Sequence, residues 1–304
     1  MYRRLLEKSN PLKALELYGL SGDSESAQAL AVKNLQHMIY QADMETILKW
    51  APVISTALGG GSRGEKLIKA YGLYANGKFD QLKATLREIE TGLPEGQIGD
   101  VIKFESALLR IRLDFTFGNF EKVYTQTRAM SKETSHVIER SHDSHYSLHR
   151  NALSASFYMH DDETFEEFYQ IVLPTFAKAS GGVEVMNVNA FKSMHAFLQG
   201  QYLEANEYAL AAIHLANELG VEGTYFPYEA AYVLMDTYLE FGEDEKSQDL
   251  VDKYLPYAIK CHQYPWIAAF YAKASIIKLQ AGNISGALAF IRKGRESIDG
   301  PLYG

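Results

Sequence analysis

The chain has 304 residues, 47% of them apolar and 22% charged, with a formal net charge of −8 and a pI near 5.6. That acidic balance leaves no basic stripe to displace counterions from a duplex, Arg3 and Arg4 forming the nearest thing to one, so direct nucleic-acid binding is not expected. The single cysteine, Cys261, excludes a disulfide framework and a four-thiolate zinc site and fits a reducing compartment. The first residues lack the apolar centre of a signal peptide and no run of 18 apolar residues is present, so a cytoplasmic chain without a membrane partner is expected.

Residues 11–20 and 24–40 read as helices split by Ser21-Gly22-Asp23, with Asp23 as the N-cap of the second. A third helix starts near Asp43 and carries Ile47, Leu48, Trp50 and Ala51 up to Pro52. The run Gly59-Gly60-Gly61-Ser62-Arg63-Gly64 reads as a loop. It divides an N-terminal adaptor, or irregular early repeats, over residues 1–63 from a regular array over 64–304, the whole forming one domain. From Glu65 the helices come in pairs. First helices are expected over 65–76, 101–117, 144–159, 184–199, 225–241 and 264–281, and second helices over 79–91, 120–139, 162–179, 202–219, 244–261 and 284–298.

What joins the pairs is a recurring Gly-centred turn, at Gly77, Gly118, Gly200, Gly242 and Gly282, with steps of 41, 82, 42 and 40 residues. His160-Asp161-Asp162 fills the double step with a turn of the same polarity and no glycine. A fixed period near 41 signals stacked helix pairs. Around Gly200, Val188, Phe191, Met194, His195 and Leu198 fall three and four apart, then Tyr202, Ala205, Ala209, Ala212, Ile213 and Ala216, one face on each helix. The small alanines let paired helices approach closely, and the aromatics after the turn (Phe79, Phe120, Tyr202) wedge between them. Pro174 and Pro256 fall inside helices as candidate kinks. With no sustained period-two alternation, the fold class is all-α: a right-handed α-solenoid of about seven helix pairs.

These residues resemble tetratricopeptide repeats, whose turn and second helix run Gly-x-aromatic-x-x-Ala. Gly200-Gln201-Tyr202-Leu203-Glu204-Ala205 matches outright, and Gly282-Asn283-Ile284-Ser285-Gly286-Ala287 keeps the Gly and Ala but not the aromatic. The period of 41 in place of 34, with Leu12-Lys13-Ala14-Leu15-Glu16-Leu17-Tyr18, Ser21-Gly22-Asp23 and Met44-Glu45-Thr46-Ile47-Leu48-Lys49-Trp50, is similar to the repeat region of MalT-like regulators. Those are ATP-dependent bacterial transcription activators with a LuxR-type helix-turn-helix. No Gly-Lys-Ser/Thr occurs here, and the sequence stops at Gly304 without a helix-turn-helix. The resemblance therefore implies either the sensor portion alone or a standalone relative. It also implies binding of an inducer or partner, coupled in a full regulator to its other domains.

Several constellations bear on chemistry. Gly60-Gly61-Ser62-Arg63-Gly64 fits the letters of a nucleophile elbow, but that elbow needs a strand before it and a sheet to display the serine. Glu65 sits where a phosphate loop needs lysine, so neither catalysis nor a cofactor is expected. His136, His142, His145 and His149 cluster, and His145 and His149, four apart, share a helix face; His142, His145 and His149 are the one candidate metal set. His195 lies on an apolar face and reads as a core histidine, and Cys261 beside His262 as an inert thiol. The acidic starts of second helices, Asp161-Asp162-Glu163 and Glu243-Asp244-Glu245, complement the helix dipole.

In tetratricopeptide folds the first helices line the concave groove. With the turn glycine as reference, the resemblance places Glu105, Arg112, Arg150, Asn151, Asn187, Tyr228, Glu229, Tyr232, Asp236 and Lys273 there. Arg112, Arg150, Asn151 and Asn187 suit a carboxylate, sugar hydroxyls or a peptide backbone. Tyr225, Phe226, Tyr228, Tyr232, Trp266 and Tyr271 suit stacking. The expected ligand is a small-molecule effector or a protein or peptide segment, signalled by a change of conformation. The alternative is a constitutive scaffold for a protein segment, without a small effector.

Overall fold

The structure, a computed structural model, describes residues 11–23, 26, 30, 62–75, 77–91, 97–133, 142–177, 182–223, 227–260 and 263–303. The expected helix over 24–40 apart from residues 26 and 30, the expected helix from 43, the glycines at 59–61, His136, Tyr225, Phe226 and the Cys261-His262 pair lie outside the described residues.

Thirteen helices and no strand are found among the described residues. They are α1 (Pro11–Leu20), α2 (Ser62–Ala75), α3 (Phe79–Glu90), α4 (Gln97–Thr116), α5 (Phe120–Glu133), α6 (His142–Met159) and α7 (Asp162–Phe176). Then follow α8 (Val183–Leu198), α9 (Tyr202–Glu218), α10 (Tyr228–Glu240), α11 (Asp244–Lys260), α12 (Tyr264–Gln280) and α13 (Ile284–Tyr303). The even-numbered helices from α2 are the first of each pair and the odd-numbered from α3 the second. The fold class is the all-α class of paired helices read from the periodicity. Two compact units are distinguished, residues 1–113 with 129–144 and residues 114–128 with 145–304.

The turn is built the same way in every pair. Gly77, Gly118, Gly200, Gly242 and Gly282 take left-handed φ values of 67–73°, and each donates its N–H to the carbonyl three residues back. The following residue donates to the carbonyl five back, as Gln201 does to Ala196 at 2.9 Å. These two bonds satisfy carbonyls the helix end would leave bare and fix the chain reversal. Glycine suits the place because a Cβ is penalised at positive φ. At the α6–α7 turn His160 takes it instead, at φ 51°, with both bonds intact: His160 N–H to Phe157 O at 3.2 Å and Asp161 N–H to Ser156 O at 2.9 Å. Asp161 then caps α7, its Oδ1 accepting from the Thr164 N–H at 3.1 Å.

Packing follows from the register set by these turns. Five residues past the left-handed residue stand Leu82, Val123, Phe165, Ala205 and Ser247, all buried. Twelve past it stand Ile89, Met130, Val172, Ala212 and Tyr254, also buried. Each large apolar side chain so enclosed contributes about 1.5–3 kcal/mol over an exposed one. The aromatic after the turn packs on the last turn of the preceding helix: Phe79 on Tyr74, Phe120 on Phe115 and Tyr202 on Phe197, with ring centroids 6.2, 5.7 and 5.2 Å apart. Pro174 and Pro256 lie inside α7 and α11. In α13, a Cβ on Gly294 would come within 3.0 Å of Tyr271 Cβ, so the absent side chain lets α13 close on α12.

One boundary differs from expectation. Ser62, Arg63 and Gly64 are not loop but the first turn of α2, because the helical stripe Leu67, Ile68 and Tyr71 is buried and Glu65 in the first turn complements the dipole. Ser62 therefore stands in a helix, and no strand or sheet is found among the described residues.

Candidate functional site

In the second unit the first helices α6, α10 and α12 bring charged and aromatic side chains together. Along α6, Arg150, Ser154 and Tyr158 recur every four residues and so share one face. Arg150 grips Glu229 of α10 with two parallel bonds, Nε to Oε1 at 2.7 Å and Nη2 to Oε2 at 2.6 Å. Both side chains are buried, and Ser154 Oγ donates to the same Glu229 Oε1 at 3.3 Å. A fork-to-fork pair of this kind is charge-assisted and fixes geometry as well as energy. α10 packs against α8 and α12, its neighbours in the order of first helices. The Arg150 bond instead skips the α8–α9 pair and ties α6 to the second pair along.

Tyr158 extends that link. Its ring meets Tyr232 of α10 edge-on at 5.1 Å and Trp266 of α12 at 5.2 Å. Its hydroxyl is buried with no hydrogen-bond partner. Burial, and then the nearby Glu229 carboxylate, push that phenol well above its ordinary range. Lys273 of α12 forms a part-buried ion pair with Asp236 of α10, and its ammonium lies 4.3 Å from the centre of the Tyr232 ring. Burial alone would lower the Lys273 ammonium, but Asp236 and then Tyr232 outweigh it and hold it above the usual lysine range. Burial raises Asp236 more than Lys273 and His160 lower it.

The other residues read from the sequence fall in several settings. Tyr228 is wholly buried, packed edge-on against Tyr254, Trp266 and Phe270 at 6.1, 5.5 and 5.6 Å, and so stands in the core rather than on an open surface. Asn187 of α8 is buried, its Oδ1 without a hydrogen-bond partner, and Asn151 is half-buried. Glu105 and Arg112 belong to the first unit: Glu105 is buried and accepts from the Tyr71 hydroxyl at 2.6 Å, and the Arg112 guanidinium lies 5.9 Å from the Tyr71 ring centre. Ser154, Tyr158 and Tyr71 were not read from the sequence. The spacing of four from Arg150 was the available signal for the first two.

His149 is fully buried, its ring 6.0 Å from Phe168, while the side chains of His142 and His145 lie outside the described residues. Among the described residues no group of His, Cys, Asp and Glu is placed to hold a metal ion. His195 is half-buried rather than in the core. It stacks on Tyr169 at 4.3 Å, and its Nε2 lies 3.1 Å from Glu166 Oε2. No described helix is long and apolar enough to cross a membrane.

No family model matches the chain, and no curated protein matches its sequence. Solved structures do match. A Rap protein complexed with competence and sporulation factor aligns over 91% of this chain and 77% of that one, with a TM-score of 0.65 and 12% identity. A signal-transduction ATPase with numerous domains and a tetratricopeptide repeat sensor, from Pyrococcus horikoshii, aligns over 96% of this chain with a TM-score of 0.56 and 16% identity. This chain spans only 44% of that ATPase. At such identities the likeness is one of fold, and the chain has a tetratricopeptide-like helical fold.

Proposed function

We propose that the chain is a non-enzymatic sensor: it binds an effector or partner segment on the first-helix face of its second unit and signals by a change in how those helices pack. The observation that carries this is the Arg150–Glu229 pair, which, with the Tyr158 ring contacts beside it, reaches over the intervening pair, whereas a plain repeat array joins nearest neighbours. A buried ion pair adds little net stability, because desolvation offsets its attraction, but it specifies one arrangement. With Asp236–Lys273 beside it, the face presents two oppositely charged pairs and an aromatic group, Tyr158, Tyr232 and Trp266. A peptide segment carrying both charge signs and an apolar side chain can exchange with both pairs, and so shift the helices between two states. The solved fold relatives agree in kind, one being complexed with a competence and sporulation factor and the other carrying a repeat sensor. A place in a MalT-like regulator is part of the same proposal.

Trp266 supplies the readout. The chain has two tryptophans, so Trp50→Phe leaves Trp266 alone on this face. A true effector raises the melting temperature, by about 2.7 kcal/mol of stability at a hundredfold excess over Kd, and shifts Trp266 emission. Ligands that stabilise the chain without moving that emission, in wild type and in Arg150→Met alike, would sink the reading and leave a constitutive scaffold.

A further inference from the structure

We propose a second interaction surface, on the last helix pair, that takes an acidic amphipathic helix of a partner protein. The register of the turns carries it. Nine residues past the left-handed residue, every earlier pair has a buried side chain: Leu86, Thr127, Tyr169, Ala209 and Val251, none more than 6% exposed. In α13 the same position is Ile291, which is 54% exposed. Its neighbours on that face behave alike. Ile284, two past the glycine, and Leu288, six past it, are exposed, as are Leu279 and Ile276 on α12. The positions that close the pair on itself remain buried, at Ala287 and Gly294. The last pair is therefore packed within itself and uncovered on one side.

What covers that side elsewhere is the first helix of the next pair. Six and nine past the turn, Glu166 and Tyr169 meet His195 of α8, and Asn206 donates from Nδ2 to Thr237 Oγ1 of α10 at 3.1 Å. Ile284, Leu288 and Ile291 continue this established interface, with three aliphatic side chains where earlier pairs mix aromatic and polar ones. A helix seated there presents an apolar stripe at spacings of three and four. Its flanks are set by charge. Arg292 and Arg295 are exposed at ten and thirteen past the glycine. At the first of these positions Arg128 pairs with Glu167 of the next pair, and at the second Glu90 pairs with Arg110 of the next pair. The partner helix carries carboxylates along its edge. A two-fold contact with a second copy would instead oppose Arg292, Lys293 and Arg295 to themselves, so charge disfavours it.

The test uses the full chain and a fluorescent helical peptide of about 18 residues, with a leucine stripe edged by glutamates, against the same peptide edged by lysines. Anisotropy shows saturable binding of the glutamate peptide, weakened by salt. Ile291→Glu lowers its affinity about tenfold or more, as for a central interface residue, while Leu203→Glu on the outer side of α9 does not. Circular dichroism of the variants confirms that they remain folded. Equal binding of the two peptides, binding retained by Ile291→Glu, or no binding by folded chain overturns the proposal. So does light scattering that reveals a dimer broken by Ile291→Glu, or partition onto phosphatidylserine vesicles in place of peptide binding.

Discussion

Glu105 and Glu229 stand at the same place in the repeat, thirteen residues before the turn glycine, one in each compact unit, and both are buried. The first accepts from a neutral hydroxyl, that of Tyr71 on the preceding first helix. The second is gripped by a guanidinium two first helices back. One position in one fold thus makes two kinds of link. The Tyr71 bond is what an array of nearest neighbours provides. The Arg150 bond is a longer tie, and it couples helices that the repeat alone would leave independent. The third residue at this place, Asn187, is buried with an unpartnered Oδ1, so the position is polar without being tied to one partner type.

The largest effect expected from breaking the comparison is at Arg150. Arg150→Ala leaves Glu229 charged and buried, and should cost about 3–5 kcal/mol in urea unfolding. The double change Arg150→Met with Glu229→Leu should lie within about 1 kcal/mol of wild type or above it, since a packed apolar pair replaces two desolvation penalties. If it is as unstable as the single variant, the pair is there for stability and the sensor reading loses its main support. At the first unit's counterpart, Tyr71→Phe removes one bond to a carboxylate and should cost about 2 kcal/mol. A loss as large as that of Arg150→Ala would mean that the two links are not different in kind.

A smaller effect separates the turns. No atom lies within 4 Å of where a Cβ on Gly200 would sit, so Gly200→Ala costs only its strained backbone, about 1 kcal/mol. His160 already bears that strain, so His160→Gly should stabilise by about 0.5–1 kcal/mol. The pair of opposite signs is the check. If His160→Gly destabilises, the imidazole near Asp236 contributes more than the backbone loses.

The turns were legible in the sequence because a left-handed residue after a helix nearly demands glycine. Even the exception at His160 was marked by its place in the period. The pairing of helices followed from the same beat, and all six second helices start at the expected residue. Ser62–Gly64 misled because three glycines before them mask a helix start that only the burial of Leu67 and Ile68 reveals. On the candidate face, Arg150, Glu229, Asp236 and Lys273 were named from register, but not as partners of one another. Which helices meet across a skipped pair depends on the turn of each pair on the last, and no single-pair periodicity encodes that. For the same reason Tyr228 read as a stacking residue although its ring is closed off by Tyr254, Trp266 and Phe270.

The gentlest way to separate the units is alkali. Tyr158, Tyr124 and Tyr169 all belong to the second unit. Burial raises Tyr158 well above the ordinary phenol value, and burial aided by neighbouring carboxylates raises Tyr124 and Tyr169 to about 12. A phenol raised on folding keeps its proton in the native state while the unfolded chain releases it. Its contribution to stability is therefore full below the ordinary value near 10 and is lost as pH climbs through the folded value. Between pH 10 and about 12 the second unit should loosen progressively, before any lysine pair on its surface matters. Phenolate absorbance followed together with Trp266 emission in the Trp50→Phe chain reads both events. Simple titration of exposed tyrosines near pH 10, with emission unchanged through pH 12, would show that the aromatic group of the first-helix face is not enclosed. The tie between α6, α10 and α12 would then lose its packing support, and only the ion pairs would remain to hold those helices together.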